Sequence, residues 1–213
     1  MKKPMTLIAV IILFAALIPR TLAGKEQRTL AIEDALAMLS FQQSTPIDLS
    51  PDGEWVAYTL QDFRRAASVK DERYRVFTRT GTPVLMAGCD VWITNTKSGE
   101  ARNLTEGKGS SWGPVWSPDG RYLAFYSDRT GEAHLWIWEK SSGALRQVSD
   151  AIVRSIGAYQ VPRWTPDSRK ILTKVLPAET TIEAAGELIS GPPGETAVQK
   201  DSSQSSVIRR YQK

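Results

Sequence analysis

The chain alternates short apolar runs with polar turns, and one such unit occurs three times. The segment from Leu49 to Tyr58 is matched by Trp116 to Phe125 and by Trp164 to Thr173, each with Ser/Thr-Pro-Asp-Gly/Ser before an apolar run. Pro sets φ at the first corner, Asp bonds a backbone N–H two residues on, and Gly accepts positive φ. The third copy has Ser168 in place of Gly, so its turn must avoid positive φ or be strained.

A second set of matches gives the length of the repeat. A match at an offset of 44 residues joins Asp90-Val91-Trp92-Ile93 to His134-Leu135-Trp136-Ile137. A second match at the same offset joins Arg102 to Thr105 with Arg146 to Ser149. A unit of about 40 to 45 residues with several short strands is typical of a four-stranded propeller blade. Tyr122 to Tyr126 is predicted to be a strand that is buried on both faces.

The pattern predicts an all-β fold, an incomplete β-propeller of about 2.5 four-stranded blades, preceded by a signal peptide and a short helix. The domain boundaries are residues 1–23 for the signal peptide, 24–45 for an N-terminal helix and linker, and 46–213 for the partial propeller. Within it, the first blade covers about 46–105, the second about 112–149, and a third starts within about 162–213. Because about 4 to 8 blades close a ring, we expect a fragment of a longer protein.

The first blade carries an insertion at residues 61–86. Its turn lies 41 residues before Val91, whereas the second blade needs 18 for the same step, and the extra segment is rich in charge. We interpret it as a solvated excursion, with a functional rim loop as the alternative.

Both flanks carry helical patterns. Ile32, Ala35, Leu36 and Leu39 keep helical spacing within Thr29 to Phe41. Thr180-Thr181-Ile182-Glu183 resembles a capping box that opens a helix to about Leu188. Ser206 to Tyr211 is a candidate strand.

The first residues read as an export signal. Lys2 and Lys3 precede an apolar run from Met5 to Ile18, and Thr21-Leu22-Ala23 fits a cleavage site. An uncleaved anchor is the alternative, but the run is short for the ~20 residues that span a bilayer. We expect cleavage after Ala23, a periplasmic or secreted protein, and no membrane attachment after cleavage. Without Lys2, Lys3 and Arg20, the chain has 24 basic and 23 acidic residues. This near balance of charge does not favour nucleic acid binding.

The chain is poor in residues that carry chemistry. Cys89 is the only cysteine and His134 the only histidine, so we expect no metal site and no cofactor, and we interpret Cys89 as a buried small residue. Gly109-Ser110-Ser111-Trp112-Gly113 matches G-x-S-x-G, but no helix follows to form a nucleophile elbow. We therefore assign no catalytic, cofactor-binding or metal residue. The repeated Trp55, Trp92, Trp116, Trp136 and Trp164 are predicted to pack between blades.

The Ser-Pro-Asp-Gly turns, with the Leu-Trp strand and Ser-Gly hairpin after them, resemble the TolB-like (WD40-like, PD40) propeller repeat. The signal peptide, Leu30 to Leu36 and Pro46 to Thr59 resemble the start of bacterial prolyl oligopeptidase family peptidases, and Leu172 to Pro177 with Thr181 to Ala185 is similar to a segment of some of them. In that family the propeller filters peptides for an α/β-hydrolase domain with a Ser-Asp-His triad. No position here matches the triad.

The resemblance implies that this chain gates and selects substrates for an exported serine peptidase, and that it is not an enzyme alone. The peptide substrate is then the partner, reached through a catalytic domain outside this chain, and the oligomeric state stays open. The alternative is a non-enzymatic TolB-like propeller that binds a periplasmic protein or peptide. A small hydrolase that uses Ser111 and His134 is a third possibility, which predicts cleavage of an activated ester that Ser111→Ala abolishes; we expect none.

Overall fold

The structure is a computed structural model, and it describes residues 31–68, 73–74, 76–156, 160–190 and 209–210. The predicted signal peptide and cleavage site lie outside these residues. The chain divides into two compact units, Met1–Ala35 and Leu36–Lys213. Within the described ranges, no helix has both the length and the apolar character needed to cross a membrane.

The described part of the first unit consists of most of a short helix. Helix α1 covers Ile32–Leu36, and the Asp34 carboxylate accepts a hydrogen bond from the Ala31 N–H at 2.9 Å. The prediction of a helix up to Phe41 was too long. Leu39–Phe41 instead forms strand β1, because its backbone pairs antiparallel with residues 60–62.

The first blade is a five-stranded antiparallel sheet. Its strands are β1, β2 (Asp48–Leu49), β3 (Trp55–Asp62), β6 (Cys89–Asn95) and β7 (Ala101–Asn103). Both β1 and β2 pair with β3, which then pairs with β6, and β6 with β7. The inner edge of this blade is therefore shared by two short strands.

The second blade is a regular four-stranded sheet. Strands β8 (Ser111–Trp116), β9 (Tyr122–Ser127), β10 (His134–Glu139) and β11 (Leu145–Gln147) lie side by side in chain order. All six residues of β9 are buried, as predicted from its apolar run. The register between β8 and β9 shifts between Trp112 and Val115, which marks a β-bulge in the inner strand.

A third, smaller sheet continues the array. It contains β12 (Arg163–Trp164), β13 (Lys170–Leu172) and β14 (Arg209–Arg210), paired in that order. Strand β14 falls within the predicted strand at Ser206 to Tyr211. Helix α3 covers Ile182–Ser190, and the Thr181 hydroxyl accepts a hydrogen bond from the Ala184 N–H at 3.1 Å, so Thr181 caps it.

Two apolar clusters hold the sheets together. Ala57, Val91 and Ile93 of the first blade meet Leu123 and Phe125 of the second, with Trp116, Trp136 and Trp138 in the same cluster. On its other face the second blade packs Tyr122, Ala124 and Ile137 with Ile171 of the third sheet. Trp116 and Trp136 are buried and Trp55 and Trp164 pack against the clusters, which confirms the packing role of these four tryptophans.

The opposite face of the first blade is partly exposed in the described structure, although the ring of Phe41 lies 5.2 Å from the ring of Tyr58. Leu49, which corresponds to Trp116 in the repeat, is 55% exposed, whereas Trp116 is 5% exposed. Val56 and Tyr58 are partly exposed, whereas their counterparts Leu123 and Phe125 are fully buried. We call Leu49, Val56, Tyr58 and Trp92 the bare face.

The repeated turns contact one another at one rim. In the first two, Gly53 and Gly120 have φ of 70° and 69°, and in the third Ser168 has φ of 58°. Ser168 is buried, and its hydroxyl oxygen accepts a hydrogen bond from the Asp119 N–H at 3.0 Å. The third turn therefore adopts the strained conformation and gains a bond to the neighbouring blade.

The insertion at 61–86 lies at the opposite rim, and it is not a solvated excursion. It contains α2 (Phe63–Ser68), β4 (Arg73–Tyr74), β5 (Phe77–Thr78) and a 3₁₀ turn at Val84–Met86. Phe77, Thr82 and Met86 are buried. The interpretation failed because its apolar residues pack on the second blade and on α3, contacts that charge density in the sequence does not indicate.

Candidate functional site

The inner strands of all three sheets line one groove. Its volume is about 460 Å³, and it is bordered by β2, β8 and β12 together with the residues that lead into them and out of them. We call it the inner groove. Its lining is Pro46, Asp48, Leu49, Pro51, Val115, Trp116, Ser117, Pro118, Val161, Pro162, Arg163 and Trp164.

The groove wall is mostly apolar because the repeat places prolines and aromatic residues beside the inner strands. Trp164 is held in place by a hydrogen bond from its Nε1 to the Val115 carbonyl at 3.0 Å and by stacking on Tyr122 at 6.2 Å between ring centroids. Apolar walls with a few polar groups are typical of ligand sites of about 300 to 1,000 Å³.

Three lining residues occupy one position of the repeat. Asp48, Val115 and Arg163 each pair with the third residue of the following strand: Asp48 with Ala57 of β3, Val115 with Ala124 of β9, and Arg163 with Leu172 of β13. The groove therefore changes from acidic through neutral to basic from the first to the third sheet.

Asp48 lies at the junction of the first two blades. Its Oδ2 accepts a hydrogen bond from the Trp116 N–H at 2.6 Å. Burial raises the pKa of the Asp48 carboxyl, and the bond from the Trp116 backbone partly offsets this rise. Trp116 thus occupies one of the about four acceptor positions of the carboxylate, and the others are open to the groove or to solvent.

A second, polar pocket of about 280 Å³ lies at the rim with the insertion, and its borders include Arg65, Arg79, Ser110 and Asp128. Arg65 is bonded to Asp90 and to the Gly109 carbonyl. The Asp128 carboxylate accepts hydrogen bonds from Thr80 Oγ1, Thr82 Oγ1 and the Ser110 N–H at 2.7, 2.8 and 2.5 Å. These charges join the insertion to the blades.

The structure does not bring Ser111 and His134 together. Both pair with Ser127 of the strand between them, from opposite sides, so about two strand spacings, roughly 10 Å, separate their backbones. The Ser111 hydroxyl is fully buried and bonded to Ser127 Oγ at 2.7 Å. His134 Nδ1 lies 3.2 Å from the Ala151 carbonyl oxygen.

Glu132 supplies an acidic neighbour of His134 that sequence reasoning missed. Its carboxylate lies 3.8 Å from His134 Nε2 and is 54% exposed. The contact arises because the two residues flank the start of β10, a proximity that their spacing in the sequence could have indicated. Ser111 stays closed to a substrate.

Cys89 is fully buried, as predicted. Burial raises the pKa of the Cys89 thiol to about 12, so the nucleophilic thiolate is disfavoured. Among the described residues, no group of three or more His, Cys, Asp or Glu side chains could hold a metal ion.

Sequence reasoning also missed the groove residues Asp48 and Arg163. Their signal was available, because each lies two residues before the Ser/Thr that opens a repeated turn. A comparison of this position in the three copies of the repeat would have revealed a negative charge at Asp48 and a positive charge at Arg163.

No family model matches the chain. Two curated relatives are peptidases by name. The chain is 42% identical to the uncharacterized peptidase YuxL of Bacillus subtilis over 89 residues, 40% of this chain and 13% of that protein. It is 29% identical to the lasso peptide isopeptidase AtxE2 of Asticcacaulis excentricus over 162 residues, 71% of this chain and 22% of that protein. The matches thus span less than a quarter of either relative.

Solved structures with a similar fold include a putative TolB from Agrobacterium tumefaciens, with 23% identity and a TM-score of 0.41 over 65% of this chain and 41% of that one. An acylaminoacyl peptidase from Pyrococcus horikoshii has 22% identity and a TM-score of 0.41 over 64% of this chain and 16% of that one. A TolB protein and a peptidase are thus among its structural neighbours, as the sequence motifs predicted. The packed antiparallel sheets give the chain the predicted all-β propeller fold.

Proposed function

We propose that this chain is the substrate-gating propeller segment of an exported serine peptidase that acts on peptides. The observation that carries the proposal is the inner groove, because three successive inner strands form one wall along which a peptide can pass. The peptidase names of the two relatives support the same activity for the whole protein.

The size of the groove sets the selection. About 460 Å³ suits a few residues of extended chain and is far too small for a folded domain. A rigid wall is needed for such a filter, and the bonds of Asp48 to Trp116 and of Trp164 to Val115 tie the adjacent inner strands together.

Activity is tested on the full-length product of the gene that encodes this chain. We expect it to hydrolyse short peptides, to be inactivated by a serine-directed reagent, and to be recovered from the exported fraction of the cell. Absence of hydrolysis with retained peptide binding would refute the peptidase and favour the TolB-like binding module.

Gating is tested by changing the width of the groove. Val115 is partly exposed at its centre, so Val115→Phe should lower kcat/KM for a ten-residue peptide about tenfold and leave a small activated ester unchanged. Val115→Ala should favour the longer peptide. The matched control is Leu172→Phe, a half-exposed position outside the groove lining. Equal losses on both substrates would contradict gating.

A further inference from the structure

The three sheets carry different charges at one level of the inner groove. Asp48, Val115 and Arg163 share one register position, and all three border the same cavity. Among the described lining residues, Asp48 is the only acidic one and Arg163 the only basic one. The electrostatic potential of the groove is therefore polarised along the direction from the first sheet to the third.

Among the residues that the structure describes, Asp48 has no positive partner. Its hydrogen bond within the described structure comes from the neutral Trp116 N–H at 2.6 Å. None of the ion pairs among the described residues involves Asp48. A partly buried carboxylate without a counter-charge is poorly solvated and gains from a cation brought by a ligand. Asp48 contrasts with Asp52, four residues on, whose carboxylate is paired with Lys140 at 2.6 Å.

Arg163 offers the complementary group. It is exposed, and its neighbour Trp164 is fixed by the bond to Val115, so the backbone that carries the guanidinium is held at the groove. A guanidinium binds carboxylates in a two-pronged geometry that a point charge does not provide.

We propose that the inner groove binds peptides by their charges, with an ammonium or guanidinium group of the peptide at Asp48 and a carboxylate at Arg163. The proposal rests on the proposed function in one respect, since it takes the occupant to be a peptide. It adds a direction: the positive group of the peptide lies toward the first sheet and the negative group toward the third.

Calorimetric titration of the full-length protein with four capped or half-capped tripeptides tests the proposal. Acetyl-Ala-Lys-Ala-amide carries only a side-chain cation, Ala-Ala-Ala-amide only a terminal one, acetyl-Ala-Glu-Ala-amide only a carboxylate, and acetyl-Ala-Ala-Ala-amide no charge. The first two probes separate the two sources of the cation.

Asp48→Asn keeps an acceptor for the Trp116 N–H and removes the charge. It should weaken a cationic probe about fivefold, as expected for a partly exposed ion pair, and leave the neutral probe within twofold. Arg163→Gln should weaken the glutamate probe to a similar extent. The matched controls are Asp167→Asn and Arg169→Gln, exposed residues of the third turn outside the groove.

Charge-independent binding to the wild-type protein, or equal effects of Asp48→Asn and Asp167→Asn, would overturn the proposal. Titration and hydrolysis are separate readouts. If hydrolysis is absent and binding depends on charge, the peptidase proposal fails and the groove proposal stands. If hydrolysis is present and binding does not depend on charge, the peptidase proposal stands and the groove proposal fails.

Discussion

Ser168 allows the strain of a turn and the value of a bond between blades to be measured separately. Its φ of 58° lies where glycine is found in the first two turns, and a side chain costs about 1 kcal/mol there. Its hydroxyl accepts the Asp119 N–H bond, a contribution of about 1 kcal/mol. The two effects have opposite signs and similar size.

Two substitutions divide these effects. Ser168→Ala keeps the strain and loses the bond, so it should lower the free energy of unfolding by about 1 kcal/mol. Ser168→Gly loses the bond and also the strain, so it should remain within about 0.5 kcal/mol of the wild type, and it should be more stable than Ser168→Ala by about 1 kcal/mol.

Equilibrium urea unfolding, followed by tryptophan fluorescence, measures both values. Gly120→Ala is the converse control, because it adds strain at a φ of 69° with only an ordinary contact to Pro51 at 3.5 Å, and it should cost about 1 kcal/mol. The reasoning is refuted if Ser168→Ala is as stable as the wild type, or if Ser168→Gly is less stable than Ser168→Ala.

Three further predictions concern the rims and faces of the blades. Hydrogen bonds from Lys140 and from the Ser50 hydroxyl hold the Asp52 pKa well below its usual value of 3.8. Their contribution to stability is therefore present above about pH 4 and is lost as the pH falls. Lys140→Met should lower the free energy of unfolding by about 0.5 kcal/mol at low salt and remove part of its acid dependence in urea titrations. Cys89 should react with a thiol reagent at pH 8 only after unfolding, and fast labelling of the native protein would contradict its burial. Leu49→Cys on the bare face should be labelled slowly in the full-length protein if a further blade covers it, whereas Leu85→Cys, at a position 66% exposed, should be labelled quickly; equal rates would argue against such a blade.

The repeat made the blades predictable from the sequence. Residues around Trp116 to Phe125 combine a turn of fixed chemistry with an apolar strand, and both signals are local. Ser168, which occupies the position of glycine in the other two turns, likewise indicated that the third turn was unusual. It could not indicate the bond to Asp119, because that bond joins residues 49 positions apart.

The failures came from contacts between distant segments. Leu39–Phe41 has helical spacing with Ala35 and Leu36, but backbone pairing with β3 overrides that local preference. The charged residues of the insertion predicted exposure to solvent, whereas Phe77 is buried against other parts of the fold. The inner groove was also missed, since it forms only where three strands meet that are far apart in the chain.

The insertion changes how the array of sheets should unfold. In a linear array, each unit contacts only its neighbours, and its end can fray alone. Here Gly81 of the insertion lies so close to helix α3 that an added Cβ would come within 3.3 Å of Ile182 Cδ1, while Thr80 and Thr82 are bonded to Asp128 of the second blade. A segment that belongs to the first blade thus makes next-nearest-neighbour contacts, which join units that a linear array would let melt one by one, and cooperative melting follows from them.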